Sequence, residues 1–222
     1  LEASDLLKVA VDGGILDEKT GVDALALVLL GSPGLRDTES IEMMVSEIDS
    51  MPLELGDRER FRVIETITEL LREEPFDVLR AKEFLAGAMN WRGDFLVGTL
   101  LGDLVQEAGL PGVAVQFYKD AIDAGSEYSA PLNFRLANAQ LNNGDPASSF
   151  LIAIRLAGYS PNLSNTILVA RAWIDLERFG LEVKDIAPGV SLSYDTARDL
   201  LEALRGSVAD SDPDVLLMID SL

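Results

Sequence analysis

Apolar residues recur along most of this chain at intervals of three and four, the spacing of one helix face, and alternation of apolar with polar positions is scarce. Ser4 caps a short helix that runs through Val11 and stops at Gly13-Gly14. Asp23 precedes a second helix, which runs into the turn chemistry of Gly31-Ser32-Pro33-Gly34. Asp37 opens a third, with Ile41, Met44, Val45 and Ile48 at helical spacing and Met51-Pro52 as its stop. A longer helix opens at Asp57, sets Phe61, Ile64, Ile67 and Leu71 on one face, and ends at Glu73-Glu74-Pro75. Beyond it, helices alternate with short breaks that hold Gly, Pro or Asp. Near the C-terminus Ser193 caps a helix carrying Ala197, Leu200, Leu201 and Leu204 on one face, with Gly206 just past its end, and Asp212-Pro213 starts a last short helix. The pattern predicts an all-α chain built of αα-hairpins.

The hairpins repeat. Leu101-Gly102, Gly109, Ala114, Tyr118 and Ala121 are followed by Leu136-Ala137, Gly144, Ser149, Ala153, Leu156 and Pro161, with Leu136 and Gly144 each 35 positions after Leu101 and Gly109. Small residues recur where two helices cross closely, and Gly recurs in the turn between them. Upstream, Ala81, Leu85 and Ala88 anticipate Ala114, Tyr118 and Ala121 at a spacing of 33. On these residues the chain resembles the tetratricopeptide repeat, a helix–turn–helix family. Residues 95–128 carry the family's motif except that Ser126 stands where its closing proline belongs. Residues 130–163 match in part, with Leu136, Ala137, Gly144, Asp145 and Pro161 in register and Ser149 in place of an alanine. Residues 62–94 match in their second helix alone, since Glu69 stands where a small residue belongs, and residues 164–188 continue the pattern through Ala170, Ala172, Trp173 and Leu176 to Pro188.

The resemblance implies an αα-hairpin superhelix, a solenoid in which each hairpin covers its neighbour's apolar side. Three stretches follow: an N-terminal helical cap over 1–56, repeats over 57–190, and C-terminal capping helices over 191–222, the caps being irregular. It further implies that the first helix of each repeat lines a concave groove. Its groove positions fall on Leu96, Thr99, Asp103 and Gln106, and then on Phe134, Asn138, Leu141 and Asn142. Such a surface mixes apolar and amide groups, suited to an extended peptide backbone with apolar side chains. Relatives that grip a chaperone's terminal carboxylate use Lys, Arg and Asn there, a set in which only Asn138 fits. Trp91, Trp173, Tyr128 and Tyr159 lie near repeat junctions and serve an interface or a core equally well. Bacterial relatives serve secretion, pilus or envelope assembly, and no residue selects among those roles.

Composition narrows the chemistry. The chain has neither cysteine nor histidine, which removes thiolate and imidazole metal sites, cysteine nucleophiles and every Ser-His arrangement. A formal charge of −20 argues against nucleic acid and anionic membranes and for basic or apolar protein partners. An enzyme would depend on Asp and Glu. Glu73-Glu74 reads as a solvated helix end, and Asp210, Asp212 and Asp214 read as helix capping, because a calcium loop needs Gly and Glu where Val215 and Ser221 stand. Phosphate-binding glycine motifs are absent, and Asn162-Leu163-Ser164 is a formal glycosylation sequon. No cofactor or metal is expected. The longest apolar run, Ala24 to Leu30, is far short of the roughly 20 residues a membrane span needs. The start at Leu1 implies a fragment, a trimmed chain or a processed product, and the compartment, cytoplasm or periplasm, stays open. The expected function is a non-catalytic interaction module or scaffold. Alternatives are a structural subunit that self-associates through its repeat ends, aided by Val215-Leu216-Leu217-Met218-Ile219, and an Asp/Glu-based enzyme.

Overall fold

In the computed structural model the described residues are 55–73, 75–125, 129–190, 192–208 and Ile219, and every regular element among them is helical. The elements expected around Ser4, Asp23, Asp37 and Asp212, and the junction residues Ser126 and Tyr128, lie outside the described residues. Two compact units divide the chain, Leu1–Glu127 and Tyr128–Leu222, a boundary that falls inside the 57–190 stretch.

The first unit holds α1 (Leu55–Arg72), α2 (Val78–Ala88), a 3-10 turn (Met89–Trp91), α3 (Phe95–Glu107) and α4 (Pro111–Ala124). Buried on α1 are Ile64, Ile67, Thr68 and Leu70, so Leu70 takes the core position expected of Leu71, which is half-buried. The helix α3 is buried nearly all round, without a break from Leu96 to Gly102 and again at Leu104 and Val105, because its sequence has few polar positions. It packs against α1, α2 and α4. On α4 the buried stripe is Ala114, Phe117, Tyr118 and Ala121. The crossing of α3 and α4 is close: a Cβ built on Gly102 would lie under 3.0 Å from three ring carbons of Tyr118. Arg60 on α1 ties the start of α3 with a two-pronged bond to Asp94, at 2.7 and 3.2 Å.

The second unit holds α5 (Ala130–Asn142), α6 (Pro146–Tyr159), α7 (Leu163–Arg178), the single turn α8 (Val183–Ile186) and α9 (Ala197–Val208). Here α6 packs against α5 and α7, and α7 touches α5 and α9. The core joins Ala137, Phe150, Ala153 and Leu156 to Trp173 and Leu176, with Phe150 and Trp173 edge to face at 6.3 Å between ring centroids. Ala197, Leu200, Leu204 and Ile219 belong to the same cluster. As expected, Ala197, Leu200 and Leu204 face inward, but the cap is different. Thr196, not Ser193, opens α9, its hydroxyl accepting from the Asp199 N–H at 3.2 Å while Asp199 Oδ2 accepts from the Thr196 N–H at 3.1 Å. Gly206 lies inside α9 rather than past its end.

Local chemistry recurs with the helices. Side chains of Asp94, Ser129 and Asn162 cap α3, α5 and α7, so that with Thr196 the caps stand 35, 33 and 34 positions apart. The turns after α3, α5 and α7 each place a glycine in the left-handed region, Gly109 at φ 75°, Gly144 at 79° and Gly180 at 69°. In each turn the next residue's N–H reaches back to the helix: Leu110 to Val105, Asp145 to Gln140 and Leu181 to Leu176, at 2.9–3.1 Å. Pro111 and Pro146 then occupy the first position of α4 and α6, where a missing N–H is harmless.

Candidate functional site: the first-helix faces

The eight groove residues divide between the units and between core and surface. In the first unit Leu96 and Thr99 are buried, at 2% and 4% exposure, because α3 is apolar almost all round. Thr99 satisfies its hydroxyl on the Phe95 carbonyl at 2.7 Å. Asp103 is half-buried and accepts the Tyr118 hydroxyl at 2.7 Å, so this carboxylate holds the α3–α4 crossing. Gln106 is half-buried, and its Oε1 is buried without a hydrogen-bond partner among the described residues. Beside it, Glu107 is exposed.

In the second unit Leu141 is buried in the core and Phe134 packs partly against it. Asn138 is half-buried and bonded on both sides of its amide: Nδ2 donates to the Phe134 carbonyl at 3.0 Å, and Oδ1 accepts from Arg171 Nη1 at 3.2 Å. Asn142 is exposed. The Asn138–Arg171 bond joins α5 to α7, and Ile174, one turn after Arg171, is half-buried against the core. Arg171 and Ile174 escaped the sequence reading, which placed no groove residues on α7. The equal registers of Gly144 and Gly180 after their helices were the signal available.

The flagged aromatics separate as well. Trp173 is core, Trp91 is half-buried in the 3-10 turn, and Tyr159 is 76% exposed. Ser149, which replaces the motif's alanine, is fully buried, and neither its Oγ nor Gln140 Oε1 has a hydrogen-bond partner among the described residues.

Ionic contacts stand at several helix ends, among them Asp175, one turn after Arg171 on α7. Arg92 pairs with Asp120 at 2.6 Å, Arg178 with Asp175 at 3.0 Å, Arg80 with Glu73, and Lys184 with Glu182. Burial pushes the Asp94 carboxyl up, but the Arg60 guanidinium and the Val97 and Leu96 N–H groups outweigh it, leaving Asp94 below its ordinary value of 3.8. The Glu182 carboxylate raises the Lys184 ammonium on the open surface. Among the described residues no three or more His, Cys, Asp or Glu gather to hold a metal, and no helix is long and apolar enough to cross a membrane.

Among the described residues the chain is all-helical, with neighbouring helices packed on one another. Set against protein-family models, curated proteins and solved structures, it matches none of them.

Proposed function

We propose that the chain is a non-catalytic interaction module of the tetratricopeptide-like kind, whose first-helix faces bind a protein or peptide partner. The observation that carries this reading is the recurrence of one local unit: a capped helix, a left-handed glycine turn, and a second helix that opens with proline in two of the three cases. Units of that form bury their apolar sides on neighbours and keep one helix face of each for a ligand. In the second unit that face offers Phe134, Asn138 and Asn142 beside Arg171. With no histidine or cysteine and no gathered acids among the described residues, the reading assigns binding rather than chemistry.

The test is a displayed peptide library screened against the full chain. Binders are expected to lose affinity when Asn142→Lys or Phe134→Ala alters the α5 face, and to keep it when Gln116→Lys alters the exposed side of α4. Binders indifferent to both α5 variants would remove this face as the site.

A further inference from the structure

Positive charge stands on the α5–α7 face of a chain whose formal charge is −20. Arg135, Asn138 and Asn142 lie at i, i+3 and i+7 on α5, which places them on one stripe. Across from that stripe Arg171 is half-buried, and its hydrogen bond goes to the neutral amide of Asn138. Among the described residues no carboxylate pairs with Arg171, whereas Arg60, Arg80, Arg92 and Arg178 each hold one. A guanidinium has five N–H donors in a fixed fork, and partial burial raises the value of a matching carboxylate. Asn138, held by its own helix through the Phe134 carbonyl, orients that fork.

The surrounding charge favours an anion. Between 129 and 178 the charged residues are Arg135, Arg155, Arg171 and Arg178 against Asp145, Asp175 and Glu177, and each acid is engaged within the chain. Asp145 caps α6 through the Ser148 N–H at 3.0 Å, Asp175, one turn after Arg171, accepts from Arg178 at 3.0 Å, and Glu177 accepts the Ala197 N–H at 3.2 Å. The acidic excess is concentrated elsewhere in the sequence, with 12 Asp and Glu against three Lys and Arg in residues 1–54. At physiological salt charges are screened over about 8 Å, so the charges carried by the face itself dominate a contact made there.

We propose that this face docks an extended acidic segment of a partner, with one Asp or Glu side chain paired to Arg171 and an adjoining apolar side chain laid against Phe134 and Ile174. The proposal rests on the reading of the α5 face as the binding surface and sets its chemistry, in place of the basic partner that the total charge implies. Asn138 is a positioning residue, and Arg171 makes the contact.

The experiment is a calorimetric titration of the full chain with two peptides of alternating residues, Leu with Glu and Leu with Lys, acetylated and amidated so that only side chains carry charge. The Glu peptide is expected to bind, more weakly as salt rises, and the Lys peptide is not. Arg171→Gln should weaken the Glu peptide at least tenfold, Arg171→Lys less, and Arg155→Gln on the exposed side of α6 not at all. Asn138→Asp keeps the side-chain shape while giving Arg171 a carboxylate within the chain, so it too should cost at least tenfold, and it serves if Arg171→Gln fails to fold. A Glu peptide that does not bind, or that binds Arg171→Gln and Asn138→Asp at full strength, overturns the proposal. If the Lys peptide binds instead and depends on Phe134 and Asn142, the acidic assignment falls while the α5 face stands as the site.

Discussion

Gly102 and Gly87 both lie inside helices, and replacing each with alanine should move stability in opposite directions. Gly87 is exposed on α2, and a Cβ added there meets nothing within 4 Å. Gly87→Ala should therefore stabilise by the helix-propensity difference, about 1 kcal/mol. Gly102→Ala gains the same propensity but drives its methyl into Tyr118, with three ring carbons under 3.0 Å away. That ring is 1% exposed, and its hydroxyl is fastened to Asp103 at 2.7 Å, so it has little room to swing aside. Overpacking of this kind costs about 1–3 kcal/mol, leaving a net loss of up to about 2 kcal/mol. Urea unfolding followed by circular dichroism measures both variants. The cycle completed by Tyr118→Ala isolates the clash, since in that background Gly102→Ala should turn neutral or favourable. Equal stabilisation by the two alanines would refute the close crossing of α3 and α4.

Other expectations follow from single sites. Gly109→Ala, Gly144→Ala and Gly180→Ala should each cost about 1–2 kcal/mol in urea unfolding, because each turn holds its glycine at positive φ, and asparagine there should cost less. Ser149→Ala should raise stability by about 1 kcal/mol or more, since it removes a buried, unpartnered hydroxyl and restores the residue type found at Ala114. Asp94 has a folded pKa below its unfolded one, so its contribution is complete above the ordinary value of 3.8 and is lost as pH falls through the lower folded value. Asp94→Asn should be less stable than the parent at neutral pH, and the gap should close in melts recorded at progressively lower pH below about 4.

What could be read ahead was local. The turns at Gly109 and Gly144 depend on a few neighbouring residues and fall after α3 and α5 as expected, whereas the start expected at Asp57 lies inside α1, which already includes Leu55. Burial was harder. The resemblance assigns Leu96, Thr99 and Leu141 to an open face, but exposure depends on what packs over a helix, and α3 has partners on several sides. Asp103 illustrates the same limit, because its carboxylate answers to a tyrosine 15 positions away. Reversing its charge would loosen the hairpin as well as change the surface charge, so Glu107, which is exposed, is the cleaner probe of charge in the first unit. The Arg171–Asn138 contact spans 33 positions between two helices that each look ordinary alone. The cap at Thr196 was missed because Ser193 offers the same hydroxyl three residues earlier, and the return bond from Asp199 decides between them.

The two longest side-chain links described, Arg60 to Asp94 and Arg171 to Asn138, reach across 34 and 33 positions, about one helix pair. Interactions so near in sequence give a low contact order, and chains of that kind close their loops early and fold fast. Local opening within a unit then breaks links between near neighbours in sequence first.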